Sequence, residues 1–180
     1  MQNQLQKIGF GGGCHWCTEA VFQSLLGVEK VEQGWIASVG EAHALSEAVI
    51  VHFCPEQISL EVLVEIHLHT HKSTSAHSMR EKYRSAVYFY TEEEQTVLST
   101  ILTQLNGDFD NQLITQILPF ASFKPSREAI KNYYYSNREK PFCETFINPK
   151  LKLLLKQFSE HVDIGNLQHL EHHIPHETEG

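Results

Sequence analysis

Positive charge and long apolar runs are both scarce in this sequence of 180 residues. The 14 Lys and Arg residues face 22 Asp and Glu residues, which gives a net charge of −8 and no basic run that could hold a phosphate backbone. Apolar stretches such as Ala48-Val49-Ile50-Val51 are far shorter than the roughly 20 residues of a membrane span. Met1-Gln2-Asn3-Gln4 leads into no apolar segment typical of a signal peptide. We therefore expect a cytoplasmic protein that binds neither nucleic acid nor membranes.

Cysteine is also infrequent, with four residues in the chain, which excludes a small domain held together by many disulfides. In a reducing cytoplasm these cysteines would be thiols at rest, so we expect any pairing among them to be catalytic rather than structural. Length and composition fit one globular domain. We assign it to residues 1–158 and predict a flexible, polar His/Glu-rich tail over residues 159–180.

The apolar patterns predict a β-α-β-β-α-β order, followed by another helix and strand. This order is typical of an α+β, ferredoxin-like split βαβ core with additional strands and a C-terminal extension. Ser59 and the Thr91/Glu94 pair are predicted to cap helices. The predicted strands are 5–11, 28–36, 45–53, 86–90 and 112–118. The predicted helices are 18–26, 60–68, 92–105, a short one near 127–135 and one from 150 to about 158.

The most distinctive motif is Cys14-His15-Trp16-Cys17, which directly follows three glycines. The strand before it and the helix after it place Cys14 at a helix N-terminus, where free N–H groups and the helix dipole favour a thiolate. Consecutive glycines let the backbone turn closely around the sulfur. The alternative is that Cys14 is a small buried apolar residue beside an ordinary turn. The Gly-Gly-Gly-Cys-x-x-Cys context favours a reactive Cys14 over this alternative.

Glu47 is a second candidate, because it falls on the apolar side of the alternating strand 45–53. A carboxyl group held away from water favours its neutral form and can donate a proton near neutral pH. The alternatives are a break in strand register or a charge that reaches solvent at a strand edge.

The sequence contains 12 histidines, and two groups of them could suggest a metal site. The first group is His67, His69, His71 and His77, but spacings of two residues do not place all of them on one helical face. We therefore expect no metal there. The second group, near the C-terminus, reflects the composition of the tail and receives no role: His161, His169, His172, His173 and His176.

The segment 12–20 resembles the Gly-Cys-Phe-Trp-Cys-x-Glu signature of the A-type peptide methionine sulfoxide reductases. The resemblance continues in the same order along roughly residues 7–158. Gly34-Trp35 is similar to the family's Gly-Tyr-x-Gly-Gly turn, and segment 46–49 to its His-Ala-Glu-Ala-Val strand. Segment 82–86 is similar to Gln-Tyr-Arg-Ser-Ala. Segments 141–143 and 147–151 are similar to the Pro-Tyr-Cys and Ile-x-Pro-Lys-Leu motifs.

The resemblance implies a thiol-dependent reductase that acts on the S epimer of methionine sulfoxide, free or in protein, without a metal or organic cofactor. Cys14 would attack the sulfoxide sulfur, Glu47 would protonate its oxygen, and the Tyr83 hydroxyl would hydrogen-bond the same oxygen. Cys17 or Cys143 would then resolve the resulting sulfenic acid, and thioredoxin or a similar dithiol would reduce the disulfide. The residues expected to bind substrate are His15, Trp16 and Trp35.

Four departures from the family pattern concern substrate binding. His15 stands where the family has Phe. The stretch between Trp35 and Glu47 lacks the family's Pro-x-Tyr. Segment 76–78 is Ala-His-Ser instead of Gly-Asn-Asp, and segment 129–131 is Ala-Ile-Lys instead of Tyr-His-Gln. Two alternatives stay open: a redox sensor derived from the reductases, and a metal-binding ferredoxin-like module that uses the Cys-x-x-Cys motif.

Overall fold

A computed structural model describes residues 4–171 of the chain. Six strands form one sheet in the order β5-β4-β1-β3-β2-β6, and only the β4–β5 pair in it is parallel. The strands are β1 (Gln6–Gly11), β2 (Val28–Ala37), β3 (Ser46–Phe53), β4 (Ala86–Phe89), β5 (Gln116–Pro119) and β6 (Ser122–Pro125).

The central four strands confirm the predicted split βαβ core. β3 lies between β1 and β2 and is antiparallel to both, and β1 lies between β3 and β4. Strand alternation predicted that Glu47 lies on a buried face. In the structure Glu47 pairs with Trp35 across β3 and β2 and is 6% exposed. β5 and β6 extend the sheet at its two edges. The fold is therefore α+β, as expected.

The helices are α1 (His15–Gln23), α2 (Leu60–His69), α3 (Glu92–Leu105), α4 (Tyr133–Ser136), α5 (Asn148–Gln157) and α6 (Gln168–Glu171). Both predicted caps are present. Ser59 Oγ accepts the Val62 N–H, and Thr91 and Glu94 form a reciprocal capping box. A π-helical turn over Cys143–Ile147 runs directly into α5. No helix within residues 4–171 has the length and apolar character needed to cross a membrane.

The main hydrophobic core lies between one face of the sheet and the helices. Phe10 stacks on Phe22 of α1 with ring centroids 4.6 Å apart, and Leu63 and Leu98 are fully buried. A smaller cluster covers the other face: Ile36, Ala48, Ile50, Ala86 and Tyr88. β3 is thus buried on both faces, so Glu47 lies inside the protein and not at a solvated edge.

The largest differences from the sequence-based expectations lie at β6 and in the C-terminal segment. β6 was not predicted, because this four-residue edge strand ends in proline and is largely exposed, so it shows no apolar alternation. The flexible tail was expected to begin at residue 159. Instead Val162, Leu167 and Leu170 are buried in the main core, and Leu26 N–H donates to the His161 carbonyl. The rest of the predicted tail, with His172, His173 and His176, lies outside the described residues.

Candidate active site

Cys14 lies between the end of β1 and the first residue of α1, where it is the N-terminal cap residue. Its carbonyl oxygen accepts the backbone N–H groups of Cys17 and Thr18 at 3.1 and 3.2 Å, which begins the helix. The sulfur thus lies beside the unpaired N–H groups of the first helical turn, as the sequence predicted. Cys14 is partly exposed, so a substrate can reach it.

A hydrogen bond from the Cys17 thiol is the main cause that lowers the pKa of Cys14, and the backbone N–H groups of Trp16 and Cys17 also lower it. Burial and the charge of Glu47 act in the opposite direction. The same hydrogen bond raises the pKa of Cys17. All four cysteines are free thiols. Cys14 is therefore the sulfur of this pair that ionises, and Cys17 is the thiol that stabilises it.

The glycine at position 12 is required by a close approach between two elements. A Cβ atom there would lie 2.4 Å from the His71 ring, which comes from the end of α2. A Cβ at Gly13 would meet nothing within 4 Å. The turn before Cys14 therefore packs closely against His71 at position 12 and has open space beside position 13.

Glu47 has a basic side chain near each of its carboxyl oxygens. The Nε2 atom of His15 lies 3.4 Å from Oε1, which also accepts the backbone N–H of His15 at 3.4 Å. The Nζ atom of Lys82 lies 3.7 Å from Oε2. His15 is 4% exposed, whereas Lys82 is exposed to solvent. Glu47 thus contacts a buried histidine with one carboxyl oxygen and an exposed lysine with the other, beside Cys14.

The orientation of the His15 ring is determined by β2. Its Nδ1 atom lies 2.8 Å from the Gly34 carbonyl oxygen, and its ring meets the Trp35 ring edge-on at 5.1 Å. Position 34 must be glycine, because a Cβ there would lie 2.2 Å from the Lys124 carbonyl oxygen of β6. The sequence predicts His15 as a wall of the substrate pocket. The structure gives its two ring nitrogens polar partners.

Tyr83 is held in place by backbone contacts on both sides. Ser46 Oγ donates to the Lys82 carbonyl at 2.9 Å and accepts the Arg84 N–H at 2.8 Å. Lys82 Nζ lies 5.0 Å from the centre of the Tyr83 ring. The hydrogen bond with Tyr83 is the main cause that raises the pKa of Lys82, followed by electrostatic interactions with Tyr83, Glu47 and Cys14. Lys82 therefore contacts both Tyr83 and Glu47.

Arg80 joins this loop to the cysteine turn, and it was not identified from the sequence. One guanidinium nitrogen, Nη1, donates to the carbonyl oxygens of Gly12 and Tyr83, at 2.9 Å each. Its remaining nitrogens donate to the Ser75 and Lys72 carbonyls. A guanidinium presents several donors in a fixed plane, so it can hold two loops at once. No local pattern distinguishes such an arginine from a surface charge.

Trp16 is part of an aromatic group near the cysteines. Its ring stacks on Tyr133 at 4.1 Å and meets Phe142 edge-on at 5.3 Å. Its buried Nε1 has no hydrogen-bond acceptor among residues 4–171. Tyr133 belongs to the site through this stacking contact. Burial is the main cause that raises its pKa, and electrostatic interactions with Cys143, Cys14 and Cys17 add to it.

Glu19 positions Tyr133, and it was not identified as a site residue although it lies in the Cys14 motif. Its two carboxyl oxygens accept the N–H groups of Asn132 and Tyr133 at 3.0 Å each. Glu19 is 1% exposed, and burial raises its pKa. A buried carboxylate that accepts two backbone N–H groups fixes this loop against α1.

Cys143 is buried at the start of the π-helical turn, and its thiol donates to the Asn137 carbonyl at 3.6 Å. Burial raises its pKa, so Cys143 rests as a neutral thiol. An electrostatic interaction with Cys143 is a minor cause of the raised pKa of Cys17. The structure thus gathers Cys14, Cys17 and Cys143 in one region. It keeps Cys54 elsewhere, buried at the end of β3.

The histidines of α2 make contacts with protein groups. His67 Nε2 donates to the Gly11 carbonyl, and His71 Nδ1 donates to the His67 carbonyl. His71 Nε2 accepts from Ser85 Oγ at 2.8 Å. Within the part of the chain that the structure describes, no group of three or more His, Cys, Asp or Glu side chains is arranged to hold a metal ion.

Comparison with known proteins gives one consistent result. The family model described as peptide methionine sulfoxide reductase matches residues 6–162. A protein named peptide methionine sulfoxide reductase MsrA from Trichodesmium erythraeum is 34% identical, over 88% of this chain and 98% of its own length. A protein of the same name from Deinococcus radiodurans is also 34% identical, over 84% of this chain and 81% of its own length.

Solved structures share the fold at lower identity. Reduced Mxr1 from Saccharomyces cerevisiae gives a TM-score of 0.70 at 21% identity, over 79% of this chain and 91% of the yeast chain. Methionine sulfoxide reductase A of Corynebacterium diphtheriae gives 0.66 at 20% identity, over 76% of each chain. The family match over most of the sequence, together with the fold and the Cys14 motif, shows that the chain belongs to the peptide methionine sulfoxide reductase family.

Proposed function

We propose that this chain reduces the S epimer of methionine sulfoxide to methionine, as the name of its family describes, with Cys14 as the nucleophile. The observation that carries this proposal is the position of Cys14 at the start of α1, where the hydrogen bond from Cys17 and two backbone N–H groups lower its pKa. A thiolate is the reactive form of cysteine. Partial exposure of Cys14 admits the substrate.

In the first step the Cys14 thiolate attacks the sulfoxide sulfur, whose oxygen leaves only when it is protonated. Glu47 supplies this proton from the buried side, and Tyr83 hydrogen-bonds the same oxygen. The attack forms a bond between the two sulfurs. As this bond and the substrate's sulfur–oxygen bond break, the hydroxyl passes to Cys14, which becomes a sulfenic acid, and the substrate sulfur leaves as the thioether of methionine with two more electrons. Trp16 and Trp35 contribute apolar surface for the substrate methyl group, since sulfur and methyl groups pack well on aromatic rings.

In the second step a thiol attacks the sulfenic acid and releases water, which leaves a disulfide. Cys17 is the first candidate because its thiol already contacts the Cys14 sulfur. Thioredoxin or a similar dithiol then reduces the protein. In support, one solved neighbour is Mxr1 from Saccharomyces cerevisiae in complex with Trx2, and that Mxr1 chain shares the fold with a TM-score of 0.59 at 19% identity. A cytoplasmic location stays a prediction from the sequence.

The test is an NADPH-coupled thioredoxin assay with both epimers of a blocked methionine sulfoxide. We expect turnover of the S epimer and none of the R epimer. Cys14→Ser should abolish it, because a hydroxyl is a far weaker nucleophile than a thiolate. Cys54→Ser is the matched control, since Cys54 lies outside the site, and it should keep wild-type turnover. Activity in Cys14→Ser, or equal use of both epimers, would contradict the proposal.

A further inference from the structure

Resting on the proposed function, we propose that His15 is the positioning residue that stores the catalytic proton of this protein and supplies it to Glu47. The family pattern has phenylalanine at this position, and a phenylalanine ring can neither hold nor pass a proton. Both His15 and Glu47 are buried, with 4% and 6% of their surfaces exposed. The protonation state of each side chain therefore depends mainly on the other and on the few groups that face the pair.

The contact with β2 determines which nitrogen of His15 carries the fixed hydrogen. Nδ1 lies 2.8 Å from the Gly34 carbonyl oxygen, and a carbonyl oxygen can only accept. Nδ1 therefore donates, in the neutral ring as well as in the charged ring. The exchangeable proton of the imidazole is left on Nε2, the atom that faces Glu47.

The contact with Glu47 is close enough for an ion pair. Nε2 and Oε1 lie 3.4 Å apart. Opposite charges in this buried contact attract when the pair holds one proton as imidazolium and carboxylate, and the same proton can instead be held as imidazole and carboxylic acid.

Before substrate binds, the charged groups around the pair favour the imidazolium form of His15 and the carboxylate form of Glu47. Lys82 Nζ lies 3.7 Å from the other oxygen of Glu47, and a cation there favours the carboxylate. Glu19, one helical turn after His15, interacts with it by charge and favours the imidazolium. The Cys14 thiolate, adjacent in sequence, acts in the same direction. The stored proton thus rests on His15 Nε2.

The reaction consumes one proton, and this pair can deliver it. As the Cys14 thiolate attacks, His15 Nε2 passes its proton to Glu47, which passes it on to the sulfoxide oxygen as negative charge develops there. The products are methionine, the Cys14 sulfenic acid, a neutral imidazole and a carboxylate. One negative charge on Cys14 and one proton are consumed together, so charge balances. The pair regains its proton from solvent near the exposed Lys82.

The kinetic test measures single-turnover formation of methionine without thioredoxin, from about pH 5.5 to about pH 9, in three proteins. The rate of methionine formation by the wild-type protein should fall at alkaline pH, as the pair loses its proton, and this fall is the alkaline limb of the pH profile. In His15→Phe this alkaline limb should move to lower pH by about one unit, which makes the variant roughly tenfold slower near pH 8. Lys82→Gln, the matched control at the other oxygen, should move the limb to higher pH. Superimposable profiles for His15→Phe and wild type would overturn the proposal.

A second measurement uses the intact His15 and does not depend on turnover. The His15 ring signal in NMR, assigned by its loss in His15→Phe, should titrate at higher pH in wild type than in Glu47→Gln, because the amide removes the negative charge that faces the ring. Equal midpoints would show that no proton is shared and overturn the proposal. Wild-type protein that reduces neither epimer would contradict the proposed function, whereas normal turnover with equal midpoints would contradict this inference alone.

Discussion

At the scale of single residues, Glu47 was found from sequence because a strand alternates its side chains strictly between two faces. Its partners could not be found in this way. His15, Lys82 and Glu47 come from three separate segments, and their contact depends on the packing of α1 against β3 and on the loop before β4. The departure of His15 from the family pattern was visible in the sequence, but its partner was not.

Glu47→Gln is the residue-scale test of proton delivery. The amide keeps the size of the side chain and can hydrogen-bond the sulfoxide oxygen, but it cannot transfer a proton. We expect turnover to fall by about 10²–10⁴-fold, the usual contribution of a general acid. Glu93→Gln, an exposed position on α3, is the control and should leave turnover unchanged. A loss of less than about tenfold in Glu47→Gln would argue against this role.

At the scale of elements, the π-helical turn Cys143–Ile147 holds the third cysteine of the site. The structure buries Cys143 at the start of this turn, where its thiol donates to the Asn137 carbonyl. π-Helical turns are rare and often mark functional sites. Cys143 can form a disulfide only with a cysteine whose Cα atom comes within about 4.4–6.8 Å of its own.

We predict that Cys17 reacts first and Cys143 second. Disulfide mapping after one equivalent of substrate, without reductant, should show Cys14–Cys17 early and a bond containing Cys143 later. Cys54 should stay reduced throughout, as an internal control. Full thioredoxin-linked turnover in Cys17→Ala, combined with its loss in Cys143→Ala, would instead show that Cys143 resolves the sulfenic acid directly.

The end of α2 makes stability depend on pH. Burial is the main cause that lowers the pKa of His71 to about 4, opposed by its hydrogen bond to the His67 carbonyl. Burial likewise lowers the pKa of His67. Both rings fold in the neutral form. The unfolded chain binds protons below about pH 6.5, so the stability that these groups contribute is present above that pH and is lost as pH falls towards about 4.

The measurement is urea unfolding at about pH 7.5 and about pH 4.5. His71→Gln removes one titrating group, so its loss of stability between these two values should be smaller than that of wild type by about 2 to 3 kcal/mol. His43→Gln is the control, because His43 is exposed, and it should follow wild type. Equal pH dependence in wild type and His71→Gln would contradict the assignment.

At the scale of the whole molecule, the chain after α5 returns to the core. Leu167 is fully buried in the main core, whereas Ile164 in the same short segment is 47% exposed. We expect Leu167→Ala to lower the free energy of unfolding by about 2–5 kcal/mol, because it removes buried contacts and leaves a cavity. Ile164→Ala should cost less than about 1 kcal/mol. Similar losses in both variants, measured by urea unfolding, would show that this segment contributes no specific packing.

The sequence by itself determined the order of the core elements, the helix caps, the position of Cys14 at a helix start and the strand face on which Glu47 lies. Each depends on neighbours within a few residues, through side-chain period or hydrogen bonds to the local backbone. Only the tertiary structure decided which distant groups meet, such as His15 with Glu47, Arg80 with the cysteine turn and Glu19 with the loop before Tyr133. Those contacts join segments far apart in the chain, and packing of the whole core brings them together.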